Sequence, residues 1–179
     1  FKGVPCSLIP TAVKINRAKG RTDMEALIDA LLDIVAKHTT YDTNNIDRPV
    51  VIEVSRDFMT DRFTEGRAHV IDGAVEQYHL NALYMDRPAD DPDVILIVPA
   101  DEFDGAAYFT DPTDNPLWRE VLLHELVHHA QNVTGGDTWT CVARSEAEAY
   151  HVGAAYLRSL GLPDPMSDRN LWSVLYEDC

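Results

Sequence analysis

The chain has 179 residues, enough to bury a core around one site in a single domain and too few for two comfortable domains. Hydrophobic content of 45% and charged content of 25% are those of an ordinary globular protein, which excludes a disordered or fibrous chain. Fifteen Lys and Arg against 30 Asp and Glu leave a formal charge of -15, which repels phosphate backbones and anionic bilayers, so neither nucleic acid nor a membrane is expected as a partner.

No apolar run reaches the roughly 18 residues that span a bilayer, and the opening FKGVPCSLIP has no basic segment followed by an apolar one. With no initiator Met, the chain reads as a processed or trimmed product. Cys6, Cys141 and Cys179 are an odd set. One disulfide, Cys141 with Cys179 or with Cys6, would suit an exported protein, and three independent thiols are the alternative. The reading leans to secretion or a periplasmic location.

There is no internal repeat and no low-complexity linker. Met24, Leu27, Ile28, Leu31, Leu32 and Val35 recur at helical spacing behind the capping-box pair Thr22 and Glu25, so a first helix is expected over Asp23 to His38. PVVIEV (49–54) and VILIV (94–98) are apolar and β-branched, and Ala68 to Met85 offers one or two more strands around Asp72-Gly73. The acidic DRPADDPD (86–93) lacks the ligand spacing and central Gly of a calcium loop and reads as a solvated turn.

A second helix is expected from Asn115 as N-cap, with Pro116 in the first position where its missing N–H does no harm, to a stop near Gly135-Gly136. A third carries SEAEAYHVGAAYLRSL and stops at Gly161, with Pro163 beyond. Ser145 and Glu148 form a capping box for its start, although it could begin as early as Asp137. A short helix from Ser167 to Tyr176 closes the chain. Grouped strands followed by helices make the class α+β.

Within the second helix lies HELVH (124–128). His124 and His128 are four residues apart, so in a helix they stack on one face where both imidazoles can bind one Zn²⁺. Glu125 is turned by about 100° from His124 and suits a general base for a water in an open coordination position better than a ligand. Chance gives the pattern in fewer than about one chain of this length in a hundred. Leu122, Leu123, Leu126 and Val127 already supply apolar packing, so the alternative of two core histidines would bury titratable rings without evident partners. A catalytic zinc needs a third protein ligand, and Glu146, Glu148 and His151 are the candidates downstream.

At these residues the sequence resembles the gluzincin zinc peptidases, in which HExxH on one helix is completed by a Glu on a following helix. Their second signature, a Glu followed after two residues by a small and then a polar residue, is matched by Glu146, Ala149 and Tyr150 in SEAEAY. The resemblance makes Glu146 the third ligand, with Glu148 left as a capping residue or a partner of a ligand histidine. Tyr150 departs from the Asp that orients a ligand histidine in thermolysin-like enzymes. No HExxHxxGxxH continuation exists, which argues against metzincins.

The match covers 115–161, while the order of the preceding elements is similar to that of the compact minigluzincins. ImmA/IrrE-type peptidases look similar too, through EAEAYHVGAAYLRSLGLP. The resemblance implies a single zincin-like domain over 1–179 that hydrolyses peptide bonds with a zinc-activated water, taking a protein or peptide as substrate. Glu125 would be the base, and His124, His128 and Glu146 the metal ligands. It also implies a hydrogen-bond donor for the oxyanion, for which Tyr108, Tyr150, His151, Tyr156 and Tyr176 are candidates, and an edge strand for extended substrate, for which VILIVPADEF is the candidate by chain order, a buried central strand over Val94 to Val98 being the equal alternative. His129 is expected at the surface or behind the ligands, and Gln131 and Asn132 as residues that finish the helix. A metal-containing binding or regulatory module that is silent or latent is the alternative function.

Overall fold

A computed structural model of the protein describes residues 21–59, 80–88, 90–135, 142–166 and 169. The three cysteines, the Asp72-Gly73 turn and the expected closing helix, apart from Arg169, lie outside these. Among the described residues the order is α1 (Arg21–His38), β1 (Val50–Glu53), β2 (Ala82–Met85), β3 (Val94–Ile97), α2 (Pro116–Thr134) and α3 (Val142–Ser159), with short 3-10 turns between β3 and α2. The fold is α+β, as the grouping of elements in the sequence requires. No described helix is long and apolar enough to cross a membrane.

The sheet runs β1-β3-β2, with β1 parallel and β2 antiparallel to β3. VILI is therefore the central strand, the buried alternative of the two readings, and not the substrate-facing edge. Its alternate side chains are buried on opposite faces: Ile95 and Ile97 in the cluster formed with the helices, and Val94, Leu96 and Val98 against Met59, Phe58 and Leu83. A strand covered on both faces has no polar alternation to distinguish inside from outside. The described edge beside α2 is β2.

Helix α2 is buried through most of its length, from Trp118 to Gln131. Its ends follow local chemistry. Asn115 Oδ1 accepts from Leu117 N–H, Pro116 occupies the first turn, and Gly135 closes the helix at φ 65°, a conformation disfavoured for residues with a Cβ. The Trp118 indole N–H donates to the Val98 carbonyl at 2.8 Å, which ties the start of α2 to the end of β3.

Two expected caps are not caps. The chain is already helical at Arg21, so Thr22 lies inside α1. Helix α3 is in place by Val142, so Ser145 is a buried residue within it. Its far end does stop as expected: Gly161 has φ 68°, its N–H donates to the Arg158 carbonyl, and Leu162 N–H reaches back to Leu157.

Small residues let α3 lie close against α2. Ala147 and Ala149 are buried, and a Cβ built on Gly153 would stand 2.1 Å from Glu120 Oε1 on α2. That Glu is in a buried ion pair with Arg169 at 2.7 Å. Only hydrogen fits at position 153 while the pair is kept.

Candidate metal centre

Packing of α3 on α2 brings Glu146 over the two histidines of HELVH. His124 Nε2 and His128 Nε2 stand 3.1 Å apart. Glu146 places one oxygen against each ring, Oε2 at 3.2 Å from His124 Nε2 and Oε1 at 3.4 Å from His128 Nε2. Among the described residues this is the grouping of three or more His, Cys, Asp or Glu side chains that could hold a metal ion.

Ligands at the corners of a tetrahedron with zinc bonds of 2.0 to 2.1 Å are roughly 3.3 Å apart. The observed spacings straddle that value, and two imidazoles with one carboxylate are a donor set zinc accepts. The residues present therefore fit the ion. The three side chains also lie within hydrogen-bonding or ion-pairing reach of one another. Burial alone would lower the His128 pKa, but its hydrogen bond to Glu146 and the charges of Glu125 and Glu146 outweigh it and raise the group to about 9. Burial would raise the Glu146 carboxyl, but hydrogen bonds from His124 and His128 hold it far below the usual carboxylate range.

Glu125, one residue from His124, is only 9% exposed. Its Oε2 accepts the backbone N–H of Tyr84 at 2.8 Å. The bond from Val98 N–H to the Asn81 carbonyl fixes the alternation of β2, so that Tyr84 N–H points away from β3 and toward α2. The edge strand thus grips the carboxylate beside the triad.

The remaining candidates are distributed as follows. Glu148, on the same helix as Glu146, accepts from Tyr41 Oη–H and from the Gln131 amide instead of joining the triad. His151 is exposed. Of the described oxyanion candidates, Tyr150 has its ring 5.0 Å from that of His124, with the Arg169 guanidinium 5.7 Å above the Tyr150 ring. Tyr108 is 90% exposed on a 3-10 turn, and Tyr156 is buried in the core cluster. Tyr176 lies outside the described residues.

Four residues acquire roles that the sequence reading did not give them. Gln131, expected to finish the helix, is buried with its Oε1 2.9 Å from His128 Nδ1. His129, expected at the surface or behind the ligands, is 2% exposed, with Nδ1 3.0 Å from Asp93 Oδ2 and Nε2 2.7 Å from the Asp47 carbonyl. Asp93, counted within a solvated turn, also accepts from Tyr84 Oη–H and Arg87 N–H. Asn132 donates to Tyr84 Oη at 2.8 Å. A helical signal existed for two of these: His129 and Asn132 follow Glu125 at four and seven residues, the spacing of one face.

Fold and site together define an α+β domain with a triad able to hold a metal divided between two packed helices. The chain belongs to the family described as Domain of unknown function (DUF6647), whose model matches residues 21–176 and so includes every residue of the triad. Neither a curated protein nor a solved structure matches it.

Proposed function

We propose that this chain is a zinc-dependent hydrolase that cleaves peptide bonds, with His124, His128 and Glu146 holding the metal. The observation that carries the reading is the position of Glu125, anchored by Tyr84 N–H next to three ligand groups at zinc-like spacing. The resemblance of HELVH and the SEAEAY segment to the gluzincins supports it.

When bound, zinc supplies Lewis acidity toward a water and toward a substrate carbonyl oxygen. Glu125 accepts a proton from the attacking water and delivers it to the amine as the C–N bond breaks, leaving a carboxylate and an amine as products. The bond from Tyr84 N–H restricts the direction of the Glu125 carboxylate, which spares the entropy of orienting it during the reaction. Tyr150, whose ring lies 5.0 Å from that of His124, is the candidate for steadying an oxyanion.

The test is incubation of the zinc-loaded protein with a diverse peptide library, read by mass spectrometry, beside Glu125→Gln at equal zinc content. Cleavage by the wild type alone is the expected result. Identical product profiles for the two would replace the peptidase with a metal-stabilised binding or regulatory module.

A further inference from the structure

We propose that Glu148, acting through the side-chain amide of Gln131, fixes which nitrogen of His128 carries hydrogen and so presents Nε2 to the metal. The proposal rests on the metal-site reading above.

Gln131 is completely buried on α2. Its Nε2 lies 3.0 Å from the Ser145 carbonyl and 2.8 Å from Glu148 Oε2, and neither oxygen can donate. The amide NH₂ must face these two acceptors, which turns Oε1 toward His128 Nδ1 at 2.9 Å. An amide oxygen only accepts, so Nδ1 is the nitrogen that holds hydrogen. A neutral imidazole carries one N–H, and its bare nitrogen is then Nε2, on the side of His124 and Glu146.

Glu148 is itself held from a third element. Tyr41, beyond the end of α1, donates its phenol hydrogen to the same Oε2 at 2.6 Å. In Glu148→Gln the charge is gone and the new amide can put its NH₂ where Oε2 stood, so that Gln131 keeps Ser145 alone as an acceptor and its own amide can turn over. An NH₂ facing Nδ1 would favour hydrogen on Nε2, the wrong nitrogen for the metal. Glu148 and Gln131 are thus positioning residues.

The experiment is a Co²⁺ titration of the full chain followed by visible absorption, with Glu148→Gln, Gln131→Leu, their double variant, Tyr41→Phe and Glu146→Gln. Glu148→Gln should bind about 10- to 100-fold more weakly with unchanged band positions, the usual effect of losing a partner behind a ligand histidine. The double variant should be no weaker than Gln131→Leu, because the proposed route from Glu148 to His128 runs through that amide. Tyr41→Phe, the mildest change, should bind severalfold more weakly, and it decides the matter if Glu148→Gln does not fold. Affinity within twofold of wild type for the folded variants overturns the relay. A larger loss in Glu148→Gln than in Glu146→Gln, with shifted bands, overturns it by making Glu148 a ligand. Failure of the wild type to take up Co²⁺ removes the metal-site reading itself.

Discussion

The backbone N–H of Tyr84 donates to Glu125 Oε2 over 2.8 Å, so the edge strand and the HELVH helix meet at the carboxylate proposed as the base. Two adjacent stripes of α2 divide the work. His124, His128 and Gln131 face α3, while Glu125, His129 and Asn132 face Tyr84 and Asp93. Both stripes follow the spacing of four then three residues that keeps side chains on one helical face.

Tyr84→Phe removes a hydroxyl that donates to Asp93 at 2.6 Å and accepts from Asn132 at 2.8 Å, while the backbone N–H to Glu125 stays. Stability should fall by about 1 to 3 kcal/mol, the effect of leaving partly buried polar partners unmatched. Urea unfolding measures it. In a cleavage assay the variant should keep more turnover than Glu125→Gln, and an equal loss would mean that the phenol takes part in the chemistry.

Glu146→Gln should reduce zinc affinity by roughly 100-fold or more, at or beyond the top of the range seen for groups behind a ligand. Both carboxylate oxygens face imidazoles, and an amide presents only one oxygen and no charge. His151→Ala should leave zinc content unchanged, since that ring is exposed. Metal analysis after dialysis against a graded chelator tests both, and zinc loss in His151→Ala would require a different third ligand.

The metal-free protein should be most stable between about pH 4.5 and 6.5. His128 is raised from 6.5 to about 9 in the folded state, so its contribution is complete below 6.5 and disappears as pH rises through about 9. Glu146 is depressed from 4.5, so its contribution is present above 4.5 and disappears as pH falls through its folded value. Zinc affinity should behave differently, rising about tenfold per pH unit from 6.5 toward 9 because His128 must release a proton. Thermal melts of the metal-free protein and competition titrations check the two trends. A flat zinc affinity over that range would mean that His128 is not a ligand or that its pKa in the folded protein is not raised.

Gly153→Ala should cost about 3 kcal/mol or more. The new Cβ would stand 2.1 Å from Glu120 Oε1, and relief means breaking the buried pair with Arg169, a loss of that order in itself. Denaturant unfolding checks this. A loss below about 1 kcal/mol, the typical effect of a surface change, would mean that Glu120 has another place to turn.

What the sequence determined by itself is what neighbouring residues settle among themselves. Asn115, Pro116 and Gly135 bound α2 because caps and left-handed stops act within one turn, and Gly161 ends α3 for the same reason. The placing of His124 and His128 on one face follows from helical geometry alone.

Tertiary structure decided the rest. A wholly apolar VILI does not reveal whether it lies at a sheet's centre or edge; burial on both faces makes it central. Asp93 reads as one more acid of a turn until the chain brings His129 and Tyr84 to it. Glu146 and Glu148 are two residues apart, and both reach the α2 stripe of His124, His128 and Gln131, one at the histidines and the other at the amide. Local spacing is indifferent between them. The rotation of α3 is set by burying Ala147, Ala149 and Val152, and it turns Glu146 to the histidines and Glu148 to Gln131 and Tyr41.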